Sequence, residues 1–111
     1  MNTFAIVARD DFESEAIQNY FQQVLASNGM EETDTPELVI AIGGDGTMLG
    51  AFHQYGTSPH YVGIHTGTLG FYADWQKEEQ EQLLQAILSN KTPEVSEYPL
   101  AEFELLHFFL V

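Results

Sequence analysis

One short stretch concentrates residue types able to do chemistry at a phosphate group: Gly43-Gly44-Asp45-Gly46-Thr47. Glycines at such a turn let the backbone approach a ligand with no Cβ in the way, so that the following amides can point at phosphate oxygens. Asp45 is the one charged side chain in the turn. An ordinary carboxylate is ionised at neutral pH, so it can accept a hydrogen bond from a ribose hydroxyl, orient it, and take its proton as the oxygen attacks. The same residues also suit a plainer role, in which the glycines make a tight turn and Asp45 caps the next helix. Residue chemistry leaves both readings open. It does exclude two better-known phosphate loops, because there is no Gly-x-Gly-x-x-Gly and no lysine follows the turn.

Such a turn must be carried on the end of a strand, and the residues before it supply one. Leu38-Val39-Ile40-Ala41-Ile42 is a short apolar run that ends directly in Gly43-Gly44, the pattern of a strand buried on both faces. Thr3-Phe4-Ala5-Ile6-Val7-Ala8 reads the same way, and Tyr61-Val62-Gly63-Ile64 gives a third strand. From Phe12 the positions Phe12, Ala16, Ile17, Tyr20, Phe21, Val24 and Leu25 predict one helical stripe, which Gly29 stops as a C-terminal cap. A short helix is expected over Met48–Tyr55, after the acidic loop Glu31–Pro36 and the glycine turn. Another is expected over Gln76–Ser89, with Leu83, Leu84, Ile87 and Leu88 buried. Its acidic start, Glu78-Glu79-Gln80-Glu81, suits the positive end of a helix dipole. Strands alternating with helices imply a small doubly wound α/β fold, a mostly parallel sheet with helices on both faces. In open sheets of that kind ligands bind beyond the carboxyl ends of the strands, which is where Gly43 to Thr47 would lie.

Composition narrows the partners. Seventeen acidic residues face three basic ones, Arg9, Lys77 and Lys91, for a formal net charge of -14. Nucleic acid is therefore not expected as a partner, since phosphate backbones are bound through clustered lysine and arginine. A nucleotide phosphate would need its positive field from backbone amides, a helix N-terminus and metal ions. No apolar run approaches the roughly 20 residues of a membrane helix, and Met1-Asn2-Thr3 lacks a basic leader, so a soluble cytoplasmic protein is expected. There is no cysteine, hence no thiolate site, and His53, His60, His65 and His107 have no metal-ligand spacing. No side-chain metal site is expected. His65, following a strand, could touch a ligand, but such a histidine is more often a satisfied structural group.

The turn resembles the signature of NAD kinases, which diacylglycerol and sphingosine kinases and, in a variant, 6-phosphofructokinases also carry. A second segment, Gly63-Ile64-His65-Thr66-Gly67-Thr68-Leu69-Gly70-Phe71-Tyr72-Ala73-Asp74-Trp75, is similar to the stretch that follows in bacterial NAD kinases, those of Gram-positive bacteria included. After the turn the chain reads Met48-Leu49-Gly50-Ala51-Phe52-His53, as NAD kinases roughly do, where the lipid kinases place an Asn-Glu. The resemblance implies phosphoryl transfer from ATP or polyphosphate to the 2'-hydroxyl of the adenosine ribose of NAD, giving NADP. On that basis Asp45 is the general base, and Gly43, Gly44 and Gly46 approach the nucleotide. Thr47 holds the turn or the phosphates, and Phe71 and Tyr72 lie near the adenine. A divalent metal, Mg²⁺, is expected to arrive with the donor's phosphates. Intact members of the family are expected to be homo-oligomers.

The resemblance covers residues 1–100 as a nucleotide-binding α/β domain and fades in the apolar tail 101–111, which holds Phe103-Glu104-Leu105-Leu106-His107-Phe108-Phe109-Leu110-Val111. On that resemblance the second, β-rich domain of such kinases is expected to be absent. A frameshift or early stop is the expected origin, with little or no activity expected of the chain alone. Two other classes stay open on the sequence: a phosphotransferase acting on a lipid or sugar, and a non-catalytic nucleotide-binding or interaction module.

Overall fold

The computed structural model describes residues 1–66 and 75–89. Five strands, β1 (Thr3–Ala8), β2 (Glu31–Glu32), β3 (Leu38–Gly43), β4 (His60–His65) and β5 (Trp75–Gln76), alternate with helices α1 (Phe12–Ser27), α2 (Asp45–Tyr55) and α3 (Gln80–Ser89). A single 3-10 turn, Lys77–Glu79, leads into α3. The strands form one sheet in the order β2-β1-β3-β4-β5, and every pairing is parallel.

All six residues of β3 are buried, as its unbroken apolar run requires of a central strand covered on both faces. Successive side chains of a strand point to opposite faces, and the two faces have separate cores. Phe4, Ile6, Leu38, Ile40, Ile42, Val62 and Ile64 pack against Ile17, Phe21 and Leu25 of α1 and Leu83, Leu84 and Ile87 of α3. Val39, Ala41 and Tyr61 pack on the other face against Met48 and Ala51 of α2. Helices therefore cover both faces of a parallel sheet, as the alternation of elements predicts.

Helix α1 is bounded as its sequence predicts. Asp11 is the N-cap, its carboxylate accepting from the Ser14 amide at 2.8 Å. At the other end the Met30 amide bonds to the Leu25 carbonyl at 3.0 Å and the Gly29 amide to Ala26 at 3.1 Å. With Gly29 at φ 90° and Met30 and Leu25 in the same core, this is a Schellman stop.

The predicted stripe on α1 is too wide. Ile17, Phe21 and Leu25, together with Ser14, face the sheet, whereas Phe12 is 91% exposed, Tyr20 38% exposed and Ala16 exposed. Steps of one, three and four fill more of the helix circumference than one flat sheet can cover, so the outer edge of the stripe stays in solvent. The start of α2 also differs from its predicted position at Met48. The Thr47 and Met48 amides both bond to the Gly44 carbonyl, at 3.1 and 3.2 Å, so the glycine turn winds straight into the helix from Asp45. Strands β2 and β5, two residues each, carry no periodicity to read. They are found through their pairing, Thr3 with Glu31 and Phe4 with Glu32 in one case and Ile64 with Trp75 and His65 with Gln76 in the other.

Candidate functional site

The strand order places a switch point between β1 and β3. The chain leaves β1 through α1 towards β2 on one side, and leaves β3 through α2 towards β4 on the other, so the loops beyond these two carboxyl ends diverge and open a crest. Three segments meet there: Arg9-Asp10-Asp11 after β1, Gly43-Gly44-Asp45 at the end of β3, and His65-Thr66 at the end of β4. The Arg9 amide bonds to the Ile42 carbonyl at 2.8 Å and the Thr66 amide to the Gly43 carbonyl at 3.0 Å, extending the sheet pairing into the crest.

Gly43 sits where no side chain fits. A Cβ there would lie 2.4 Å from Thr47 Oγ1 and 2.9 Å from Arg9 Cβ. Gly44 is the N-cap of α2, and no side chain caps that helix. The capping role that the plainer reading assigned to Asp45 therefore belongs to the glycine before it. Asp45 is the first residue of α2, half-buried, at the positive end of the helix dipole. Gly46 is exposed, and a Cβ on it would meet no atom within 4 Å, so the backbone of the first turn of α2 is open on that side. Thr47 Oγ1 lies 3.5 Å from the Gly44 amide and braces the turn. The cavity beneath the turn, lined by Ala41, Gly43, Asp45, Met48, Gly63 and Ile64, is about 10 Å³, room for at most one water.

Sequence reasoning missed a polar network beside the glycines. Arg9 Nε donates to Asp11 Oδ2 at 2.6 Å and Arg9 Nη2 to Thr66 Oγ1 at 3.3 Å. Ser14 Oγ donates to Asp11 Oδ2 at 3.0 Å and lies 2.8 Å from Thr66 Oγ1. Ser14 and Thr66 are both buried. The Arg9 guanidinium, followed by the Ser14 amide, holds the Asp11 carboxyl down at about 2. Nearby, a hydrogen bond with Asp10 raises Glu15 above the usual glutamate range, one sign of how crowded with carboxylates this edge is. The signal for Arg9 was its position directly after an apolar strand in a chain with three basic residues, and it becomes legible once β1 is known to lie beside β3.

His65 is 5% exposed in the sheet, in register with Gly43. Among the described residues no three histidine, aspartate or glutamate side chains are placed to hold a metal ion. No described helix is long and apolar enough to cross a membrane. Phe71 and Tyr72, expected near an adenine, lie outside the described residues.

Residues 8–92 match the family described as the ATP-NAD kinase N-terminal domain. Among curated proteins the chain is similar to an NAD kinase of Lysinibacillus sphaericus (strain C3-41), 44% identical over 108 residues, or 94% of this chain and 40% of that protein. It is similar to an NAD kinase of Staphylococcus carnosus (strain TM300), 42% identical over 103 residues, or 89% of this chain and 38% of that protein. One from Staphylococcus aureus (strain JH9) is 43% identical over 103 residues, with the same coverage. The chain thus spans about two fifths of the length of these relatives.

Proposed function

Since the chain belongs to the NAD kinase family, matching its N-terminal domain, we propose that its crest takes part in phosphoryl transfer from ATP or polyphosphate to the 2'-hydroxyl of the adenosine ribose of NAD. The observation that carries this reading is the placement of Gly43–Thr47 at the carboxyl end of β3, at the switch point of a parallel sheet, with Asp45 leading α2. Asp45 is the proposed base. It accepts the hydrogen bond of the ribose hydroxyl and takes its proton as the oxygen attacks phosphorus. Gly44 and Gly46 let the nucleotide approach the backbone, and the positive end of the α2 dipole faces the incoming negative charge. Phe71 and Tyr72 are proposed to flank the adenine.

Phosphoryl transfer asks a protein chiefly for positioning and charge stabilisation. In a chain with 17 acidic and three basic residues the donor's phosphates must bring their own counter-charge, and a divalent ion such as Mg²⁺ is usually held through substrate phosphates. The described residues offer it no cage of their own. On the same reading the protein acts in the cytoplasm, and intact relatives work as homo-oligomers. The 111 residues alone are expected to bind nucleotide more readily than they turn it over, given the share of the relatives they span.

The test is NADP formation from NAD and Mg-ATP, read with an NADP-specific dehydrogenase, alongside isothermal titration of each nucleotide. Asp45→Asn should leave titration of Mg-ATP unchanged and lower the rate by about 10²–10⁴-fold, the usual share of a general base. A rate indifferent to Asp45→Asn would remove Asp45 from the chemistry.

A further inference from the structure

Two buried hydroxyls, Ser14 and Thr66, are tied to one guanidinium on the crest. A hydroxyl has one proton to give, so the network has one direction. Ser14 Oγ gives its proton to Asp11 Oδ2, and so accepts from Thr66 Oγ1, which in turn accepts from Arg9 Nη2. Arg9 Nε closes the ring on Asp11. Buried hydroxyls are costly unless bonded, and this pair is satisfied in full only while Arg9 stays where it is. Two of the guanidinium's five N–H donors are engaged in this way. Nη1 is 3.7 Å from the point where a Cβ of Gly44 would stand. Lys77, the other described cation, is engaged by Glu13 at 2.8 Å.

We propose that Arg9 contacts the polyphosphate chain of the ligand on the crest, and that Ser14 and Thr66 are positioning residues that keep its Nη1 edge over the Gly43-Gly44 turn. The ligand class is a metal-bearing di- or triphosphate, whether of a nucleotide or of inorganic polyphosphate. Among the described residues the guanidinium is engaged through Nε and Nη2, on the edge held by Asp11 and Thr66, and the remaining donors of such a fork suit phosphate oxygens. This rests on the reading of the crest as a phosphoryl-donor site.

The test is isothermal titration of the 111-residue chain with magnesium tripolyphosphate, with Mg-ATP, with NAD and with adenosine, which carries no phosphate. Replacing Arg9 by Gln should weaken tripolyphosphate by about tenfold or more, the value of a hydrogen bond to a charged group, and leave adenosine unchanged. Thr66→Val should weaken tripolyphosphate to a smaller degree, and Thr66→Ser, which keeps the hydroxyl, should restore it. A merely structural role would lower Tm in Thr66→Val and leave the Kd of the folded protein as it was. A folded wild-type chain that does not bind tripolyphosphate, or an Arg9→Gln variant that binds it as wild type does, overturns the proposal. Arg9-dependent tripolyphosphate binding in a chain whose NADP formation ignores Asp45→Asn would sink the kinase reading and leave this one standing. Asp45-dependent NADP formation with donor KM unchanged in Arg9→Gln would do the reverse. Comparing ATP with NAD shows whether the donor's phosphates or the acceptor's pyrophosphate is the one held.

Discussion

A methyl group at Gly43 should damage the fold, and the same change three residues later should not. In Gly43→Ala the new carbon would start 2.4 Å from Thr47 Oγ1, 3.0 Å from Thr47 Cβ and 2.9 Å from Arg9 Cβ, where comfortable separations are about 3.5–4.0 Å. Neither neighbour is the far end of a flexible chain. Moving Thr47 shifts the first turn of α2, and moving Arg9 Cβ shifts the end of β1, whose amide is fixed to Ile42. Overpacking of this kind costs about 1–3 kcal/mol. Gly43 also has a φ of 157°, which a side chain rarely adopts, so the usual gain from restricting the unfolded chain does not apply. A loss of about 1–3 kcal/mol lowers the Tm of a domain this size by roughly 5–20 °C, measured by far-UV circular dichroism. Gly46→Ala meets nothing within 4 Å and lies inside α2, so it should gain up to about 1 kcal/mol in helix propensity while weakening nucleotide binding. Equal melting of Gly43→Ala and wild type, or a larger loss in Gly46→Ala, would refute the packing argument.

The folded pKa of Asp11, about 2, lies below the ordinary 3.8, so its contribution is present above the ordinary value and is lost as pH falls towards 2. Asp11→Asn should therefore flatten the acid limb of a Tm-against-pH curve between about 4 and 2, and a limb of unchanged slope counts against the Arg9 contact as its cause. Burial pushes the Tyr61 hydroxyl, which donates to the Gly56 carbonyl, up to about 12. Because this pKa is raised above the ordinary 10.0, its contribution holds below that value and declines as pH rises towards 12. Tyr61→Phe should remove this alkaline decline in urea titrations at graded pH. Gly50→Ala, exposed in the middle of α2 with nothing near its Cβ, should raise stability by about 0.5–1 kcal/mol, checked by urea denaturation.

The three long strands and the parallel, doubly wound arrangement were legible because apolar runs bounded by glycine, proline and acidic loops have one stable use in a small domain. Leu38–Ile42 is the plainest example, predicted as a two-faced strand and found with every residue buried. The α1 stripe was overread because periodicity marks apolar positions and says nothing of how much of them the sheet can reach. Phe12 satisfies the spacing and is nevertheless exposed. In the candidate site, the glycine turn was legible from local chemistry. Arg9, Ser14 and Thr66 were not, since their meaning depends on β1 and β4 flanking β3, a fact of pairing that no window of sequence holds.

The crest draws on residues 9 to 14, 43 to 47 and 65 to 66, brought together by the β1–β3 and β3–β4 pairings and tied across by the Arg9–Thr66 and Ser14–Thr66 hydrogen bonds. Pairings that far apart in sequence carry loop-closure costs that must be met before they return anything, so the site forms late, with the sheet itself. The converse holds at equilibrium. A ligand that grips all three segments binds no partly folded form, and at a hundred times its Kd it adds about 2.7 kcal/mol to the stability of the whole sheet. Under the proposed reading, nucleotide supply and resistance to proteolysis would be linked in this chain through these same segments.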